Sequence, residues 1–263
     1  MLWKTNVLKG CRLGALDGEL GRVKDFYFED QTWTVRYIVA DTGTWLPHRK
    51  VLISPFAVSG IRTSPHLLMD LKLTRRQVKD SPTIEAHKPV SRQMEARYLN
   101  YFGWPPYWPG PMLWGPVDIP GAFVPLSIPT PEPSAHKPEL PTEDSHLRSA
   151  EELHGYHLQA LDQSFGHVEQ LVFEMESWAV RYLIIDTHTW WPGKRVLLSP
   201  LWVASVNWPE MSVYVDLDRA SIQRAPEYNP DQPITREFEA QLFAHYSRRP
   251  YWESMPKLEE RAA

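Results

Sequence analysis

Apolar and polar positions are most sharply ordered between Trp33 and Ala40. Val35, Tyr37 and Val39 fall on one face of an extended chain, and Arg36, Ile38 and Ala40 on the other. Both faces are mostly apolar, which predicts a strand buried on two sides. The pattern returns at Val180, Tyr182 and Ile184. Residues 16–58 map onto 161–203 by one constant shift, 178 − 33 = 145 and 203 − 58 = 145. Roughly 20 of about 43 aligned positions are identical without a gap, so the chain contains an internal duplication.

The same patterning predicts the neighbouring elements. Val23–Phe28 and Lys50–Ile53 read as strands, the second stopped by Ser54-Pro55 because proline cannot donate to a ladder. Phe56–Ile61 and Leu67–Leu73 read as hairpin arms, matched by Leu201–Val206 and Ser212–Leu217. Across that hairpin the shift falls from 145 to 144, and a tip is where an indel is best tolerated. Thr74 and Gln77 fit a capping box opening a short helix, with Asp218 as the cap of its counterpart. Helical spacing then predicts helices over Ser91–Phe102 and Thr235–Tyr246, each followed by a Pro-Tyr-Trp tail at 106–108 and 250–252.

These elements divide the chain into a first β domain (1–82), its helical extension (83–103), a Pro- and aromatic-rich linker (104–145), a second β domain (146–226) and a helical C-terminal extension (227–263). About a dozen prolines between Gly103 and Ser145 make the linker semi-rigid in part. The gapless repeat predicts separate domains that pack on each other, so that Met1–Gly103 and Asp144–Ala263 fold when expressed apart. Val35, Tyr37, Val39, Val180, Tyr182 and Ile184 are expected in cores.

Composition narrows the functional classes. The 263 residues carry a net charge of −4, which argues against a nucleic-acid binder, because phosphate contact needs clustered Lys and Arg. Cys11 is the one cysteine, so no intrachain disulfide forms and a reducing compartment is expected. No apolar run reaches the ~18 residues of a spanning helix, and the N-terminus lacks a signal-peptide core. These features predict a soluble, cytoplasmic protein.

Candidate chemistry is sparse. Arg36/Arg181 and Asp41/Asp186 recur in both copies and read as a structural ion pair and turn-capping carboxylates. His154-x-x-His157 has no third ligand beside it, so no metal site is expected. Ser54 and Ser199 lack the glycine-flanked elbow of a nucleophilic serine. No phosphate-cradling glycine loop is present, and no catalytic residue or cofactor is expected. The 12 tryptophans stand out. Trp33/Trp178 and Trp45/Trp190 recur and read as core or lid packing. Trp191, Trp202 and Trp208 belong to the second copy alone, facing Leu46, Ala57 and Thr63 in the first. They are the candidate partner-binding residues, because Trp is enriched at interface hot spots.

The residues Gly21-Arg22-Val23, Val35 to Asp41 and Lys50 to Pro55 resemble the PRC-barrel family. So do their second-copy counterparts Gly166-His167-Val168, Val180 to Asp186 and Lys194 to Pro200. That family includes the cytoplasmic domain of the photosynthetic reaction-centre H subunit and the C-terminal domain of the ribosome maturation factor. The resemblance implies a mainly β fold of two small PRC-type β-barrels, each followed by short α-helices, joined by the Pro-rich linker. It implies a docking module for a larger assembly and no catalytic residues. The favoured expectation is therefore a non-catalytic adaptor or accessory protein with a protein partner. Alternatives are a subunit of a photosynthetic or electron-transfer complex, a ribosome-assembly factor, and a small-ligand binder or enzyme. Pseudo-twofold packing between the repeats, or a homo-oligomer, is a further expectation.

Overall fold

A computed structural model describes residues 1–46, 50–82, 90–120, 146–187 and 194–253. The first repeat runs β1 (Leu2–Lys4), α1 (Thr5–Leu8), β2 (Arg12–Ala15), β3 (Gly18–Glu29), β4 (Thr34–Asp41), β5 (Lys50–Ile53), β6 (Val58–Arg62), β7 (Leu68–Leu71), α2 (Arg75–Asp80) and α3 (Arg92–Phe102). The second runs β8 (Leu147–Ser149), α4 (Ala150–Leu153), β9 (His157–Gln159), β10 (Ser164–Glu174), β11 (Val180–Asp186), β12 (Arg195–Leu198), β13 (Val203–Asn207), β14 (Ser212–Val215), α5 (Arg219–Gln223) and α6 (Arg236–His245). No helix among the described residues is long and apolar enough to cross a membrane.

The strands form two seven-stranded sheets. One has the order β5-β4-β3-β2-β7-β6 with β8 added on β3, and the other the order β12-β11-β10-β9-β14-β13 with β1 added on β10. The mainly β expectation holds at this level. The closed barrels do not: among the described residues each sheet is an open path, ending at β5 and β6 or at β12 and β13. Between β5 and β6, and between β12 and β13, the chain makes a short 3₁₀ turn at Pro55–Ala57 and Pro200–Trp202 instead of continuing a ladder.

Local signals account for most element ends. All side chains of Thr34–Ala40 are buried, as a strand covered on both faces requires. Val35, Tyr37, Val39, Val180, Tyr182 and Ile184 are all core residues. The Thr74–Gln77 capping box forms in full, with Gln77 N–H donating to Thr74 Oγ1 at 3.1 Å. Ser91, Asp218 and Thr235 cap α3, α5 and α6. Gly21, at φ +147°, has no room for a side chain, since a Cβ there would lie 2.1 Å from the Asp41 carbonyl oxygen. Gly166 meets Asp186 in the same way at 2.5 Å. The Gly-x-Val strand starts thus exist because two backbones meet there.

The chain divides into two compact units that do not follow the repeats. One comprises Met1–Leu153 with Leu171–Arg181, and the other His154–Gln170 with Tyr182–Ala263. The second unit has a core of Leu158, Val168, Tyr182, Ile184, Leu197, Val213, Val215, Leu242 and Phe243, all essentially inaccessible to solvent. Within the first unit, short strands are exchanged reciprocally. β1 pairs with β10 in the register Leu2↔Glu174, Trp3↔Phe173 and Lys4↔Val172. β8 pairs with β3 as Leu147↔Glu29, Arg148↔Phe28 and Ser149↔Tyr27. Adding 145 to the first member of each pair and subtracting 145 from the second converts one register into the other. Val35 N–H donates to the Trp178 carbonyl at 2.8 Å, and Val180 N–H to the Trp33 carbonyl at 2.7 Å. Trp33 and Trp178 sit at φ 50° and 59°, a left-handed conformation costly for a bulky side chain. Each stacks on the phenylalanine of its own repeat, Phe28 or Phe173, with ring centroids 5.2 Å apart. The carbonyl contacts and the stacks hold these strained residues in place.

Candidate functional site

The largest concentration of polar chemistry lies inside the first unit, around Glu29, Arg36 and Glu95. Strand β4 brings Arg36 and Tyr37 to its two faces, and α3 supplies Arg92 and Glu95 one turn apart. Glu95 is fully buried. Its Oε1 accepts from Tyr37 OH at 3.0 Å and from Tyr107 OH at 2.5 Å. Its Oε2 lies 2.9 Å from His146 Nε2 and 3.4 Å from Arg92 Nη1. Burial, reinforced by Glu95, pushes both phenols well above the usual tyrosine range, so each stays a donor.

Beside it, Glu29 binds two guanidinium groups. Arg36 Nη2 donates to Glu29 Oε2 at 2.6 Å and Arg92 Nη2 to Oε1 at 2.6 Å. Arg36 also donates to the Leu113 carbonyl and lies 3.9 Å from the Tyr107 ring centroid and 4.8 Å from that of Trp114. Burial alone would raise the Glu29 carboxyl. The Arg36 charge and the hydrogen bonds from Arg36, Arg92 and Thr32 outweigh it and hold the group below the usual carboxylate range. Glu174, hydrogen-bonded by Arg181 and Ser177, is lowered for the same reasons.

That depression predicts acid lability with a definite sign. A carboxyl whose pKa is lower folded than unfolded contributes stability that is present above the unfolded value, about 4.3 for Glu, and is lost as pH falls through the depressed one. Urea midpoints are expected to drop as the pH falls below about 4.3, the unfolded value, and the drop to be smaller in Glu29→Gln, which lacks this titration. Equal pH dependence in both proteins would show that Glu29 does not cause the acid lability.

The Pro-rich segment after α3 closes over this network. Tyr107 and Trp114 are buried, and Trp114 Nε1 donates to the Ser177 carbonyl at 2.8 Å inside the same unit. Trp104 stacks on Phe102 at 4.5 Å. The described part of the linker, 104–120, is therefore a packed strap, and residues 121–145 lie outside the described residues. The second unit repeats the tail contact: Tyr182 OH and Tyr251 OH donate to Glu239 Oε1 at 2.7 and 2.8 Å, and the Arg236 guanidinium lies 4.2 Å from the Trp252 ring centroid. Each Pro-Tyr-Trp tail is thus read by an Arg-x-x-Glu pair on the preceding helix, Arg92/Glu95 or Arg236/Glu239. The apolar spacing of those helices gave no hint of this. The recurrence of Arg, Glu and Tyr at a constant shift of 144 was the available signal.

Two of the expected interface residues, Trp202 and Trp208, lie among the described residues. Trp202 is 3% exposed and packs on Phe243 and Tyr246, with centroids 5.3 and 4.6 Å apart. This corrects its place among the docking residues, since almost none of its surface remains for a partner. Position 57 carries Ala where position 202 carries Trp, and Trp104 becomes Arg248. In each repeat one indole therefore fills the space against the end of the helix, supplied from a different place in the chain. Trp208 is half-buried, edge-on to Tyr156 at 5.7 Å. Trp191 lies outside the described residues.

The other candidates have structural roles. Arg36 pairs with Glu29 and Arg181 with Glu174, while Asp41 Oδ1 accepts from Gly43 N–H at 2.9 Å in a turn. Ser54 and Ser199 are buried and cap the 3₁₀ turns. His154 Nδ1 bonds the Glu169 carbonyl oxygen at 2.8 Å, and among the described residues no group of three or more His, Cys, Asp or Glu is placed to hold a metal ion. Open clefts lie among the described residues of the first unit. One, of about 460 Å³, is lined by Lys9, Arg12, Arg22 and His66. Another, of about 490 Å³, is lined by Asp17, Trp45, Arg75, Arg76, Lys79 and Asp80. No protein-family model matches the chain, and no curated protein matches it significantly.

Proposed function

We propose that this chain is a non-catalytic protein-interaction module, an adaptor or accessory protein built from two PRC-type repeats and working in the cytoplasm. The observation that carries this reading is the condition of the polar cluster around Glu95. It is sealed by the 104–114 strap and its carboxylate accepts from several donors at once, which suits a clamp on the aromatic tail better than proton transfer to a substrate. Its counterpart at Glu239 also binds a tail tyrosine. The open clefts instead offer cationic, aromatic and apolar groups, the chemistry of a contact surface. The PRC-type kinship rests on the Gly-x-Val, Val-to-Asp and Lys-to-Pro motifs of both copies and supports the same reading. The test is affinity capture from the native host with the full-length chain as bait, followed by rebinding of each purified candidate. Saturable rebinding of a defined protein supports the proposal. A bait that retains only a small molecule, or consumes one, overturns it.

A further inference from the structure

Three basic residues of the first repeat, Lys9, Arg12 and Arg22, meet at the 460 Å³ cleft, joined there by His66. Arg12 and Arg22 stand directly opposite each other in the β2–β3 register. Like charges in that position repel and cost stability. The carboxylates nearby offset this only in part. Lys9 meets Glu151 at 2.8 Å with both side chains about half exposed. Arg12 meets Glu19, the two side chains 43% and 42% exposed. Ion pairs so open to water are worth little. Arg22 donates from Nη1 to the Gly10 carbonyl at 3.1 Å. Glu19 feels the Arg22 charge as well as that of Arg12, so one exposed carboxylate serves two guanidinium groups.

The second repeat shows which part of this arrangement is kept. A shift of 145 carries Lys9, Arg12 and Arg22 onto His154, His157 and His167, so all three positions are basic in both copies. The backbone repeats too. His157 stands opposite His167, and the Gly10 and Gly155 N–H groups donate to the Val23 and Val168 carbonyls, both at 2.8 Å. The carboxylates are not kept: Ser164 stands where the first repeat has Glu19, and Asn6 lies 145 positions before Glu151. The basic triplet therefore does not exist to serve those carboxylates. We propose that the first-repeat cleft binds a phosphate group, free or carried by a small molecule, with its oxygens on Lys9, Arg12 and Arg22 and any attached apolar group against Val7 and Leu67. Guanidinium forks match phosphate oxygens, and converging cations suit a dianion better than a single carboxylate. The charge is confined to one cleft rather than spread in the stripe that nucleic acid requires. Imidazole is charged only when protonated, so the constitutive site is the one in the first repeat. The inference goes beyond partner docking and does not depend on it.

The test follows amide chemical shifts of the isotope-labelled full-length chain during titration with inorganic phosphate, and in parallel with phenyl phosphate and with acetate, at constant ionic strength. Saturable shifts of the Gly10, Cys11 and Leu67 amides are expected. Arg22→Ala is expected to weaken phosphate binding roughly tenfold or more at unchanged melting temperature, the loss of one charge-assisted hydrogen bond. Glu19→Gln, which releases Arg12 from its ion pair, is expected to tighten binding severalfold. Tighter binding of phenyl phosphate than of inorganic phosphate would assign the group to a small organic ester, and equal or weaker binding to free phosphate. No saturable shift, phosphate binding untouched by both substitutions, or acetate bound as tightly as phosphate would overturn the assignment. Such a failure is separable from failure of the docking reading, because partner capture does not involve phosphate.

Discussion

Replacing Glu95 with Ala is expected to destabilise the folded chain by about 3–5 kcal/mol, the cost of breaking a buried charged pair by removing one partner. The carboxylate is fully buried and accepts from Tyr37, Tyr107 and Arg92, with His146 Nε2 at 2.9 Å. Removing it leaves two phenols and part of a guanidinium without their acceptor, and leaves a void beside Tyr37. An unsatisfied buried donor costs far more than the net worth of the bond it has lost. The control is Glu151→Ala. Glu151 pairs with Lys9 at 2.8 Å with both side chains about half exposed, and its loss is expected to cost less than ~1 kcal/mol. Urea denaturation of the three proteins measures both. A Glu95→Ala loss no larger than the control would show that the tail clamp contributes nothing.

The second large effect concerns chain length. Met1–Gly103 contains the first repeat with its helix, yet it is expected to show no cooperative melt. The fragment lacks Tyr107, Trp114, β8 and residues 171–181, all of which belong to the first compact unit. Without them Arg36 loses the Leu113 carbonyl and the Tyr107 and Trp114 rings. Glu95 loses Tyr107 and His146, the Tyr27–Glu29 stretch of β3 loses β8, and Val35 N–H loses the Trp178 carbonyl. Each loss is of order 1 kcal/mol or more, against a typical total stability of about 5–15 kcal/mol. Mixing a fragment ending at Pro120 with one beginning at Asp144 is expected to restore dispersed amide spectra, because the exchanged strands supply what each fragment lacks. A well-dispersed spectrum and a sharp melt from Met1–Gly103 alone would contradict this and return the molecule to two repeats that fold separately.

The contrast with the sequence-based expectation has a physical cause. The duplication, the doubly buried strand at Val35–Ala40, the hairpins and the caps at Thr74, Ser91, Asp218 and Thr235 were legible because each is written in local periodicity or in a side chain bonding its own backbone a few residues away. The exchanged strands were not. Leu2-Trp3-Lys4 and Leu147-Arg148-Ser149 are three residues long, too short for periodicity, and their partners lie more than a hundred positions away. Sheet closure was inferred from family resemblance, and no residue pattern encodes it. The clamp was half legible: Arg92, Glu95 and Tyr107 recur at 236, 239 and 251, but their contact depends on the strap folding back. Trp202 was misread because an aromatic present in one copy looks like a private surface until its compensation for the missing Trp104 is seen.

The role proposed for this chain is to hold another protein. Native mass spectrometry of material captured from the host with the full-length chain tests it most directly. The predicted result is a complex of fixed stoichiometry between the intact chain and one defined protein. The contradicting result is the chain recovered alone, or with a bound small molecule, from every condition in which the host expresses it.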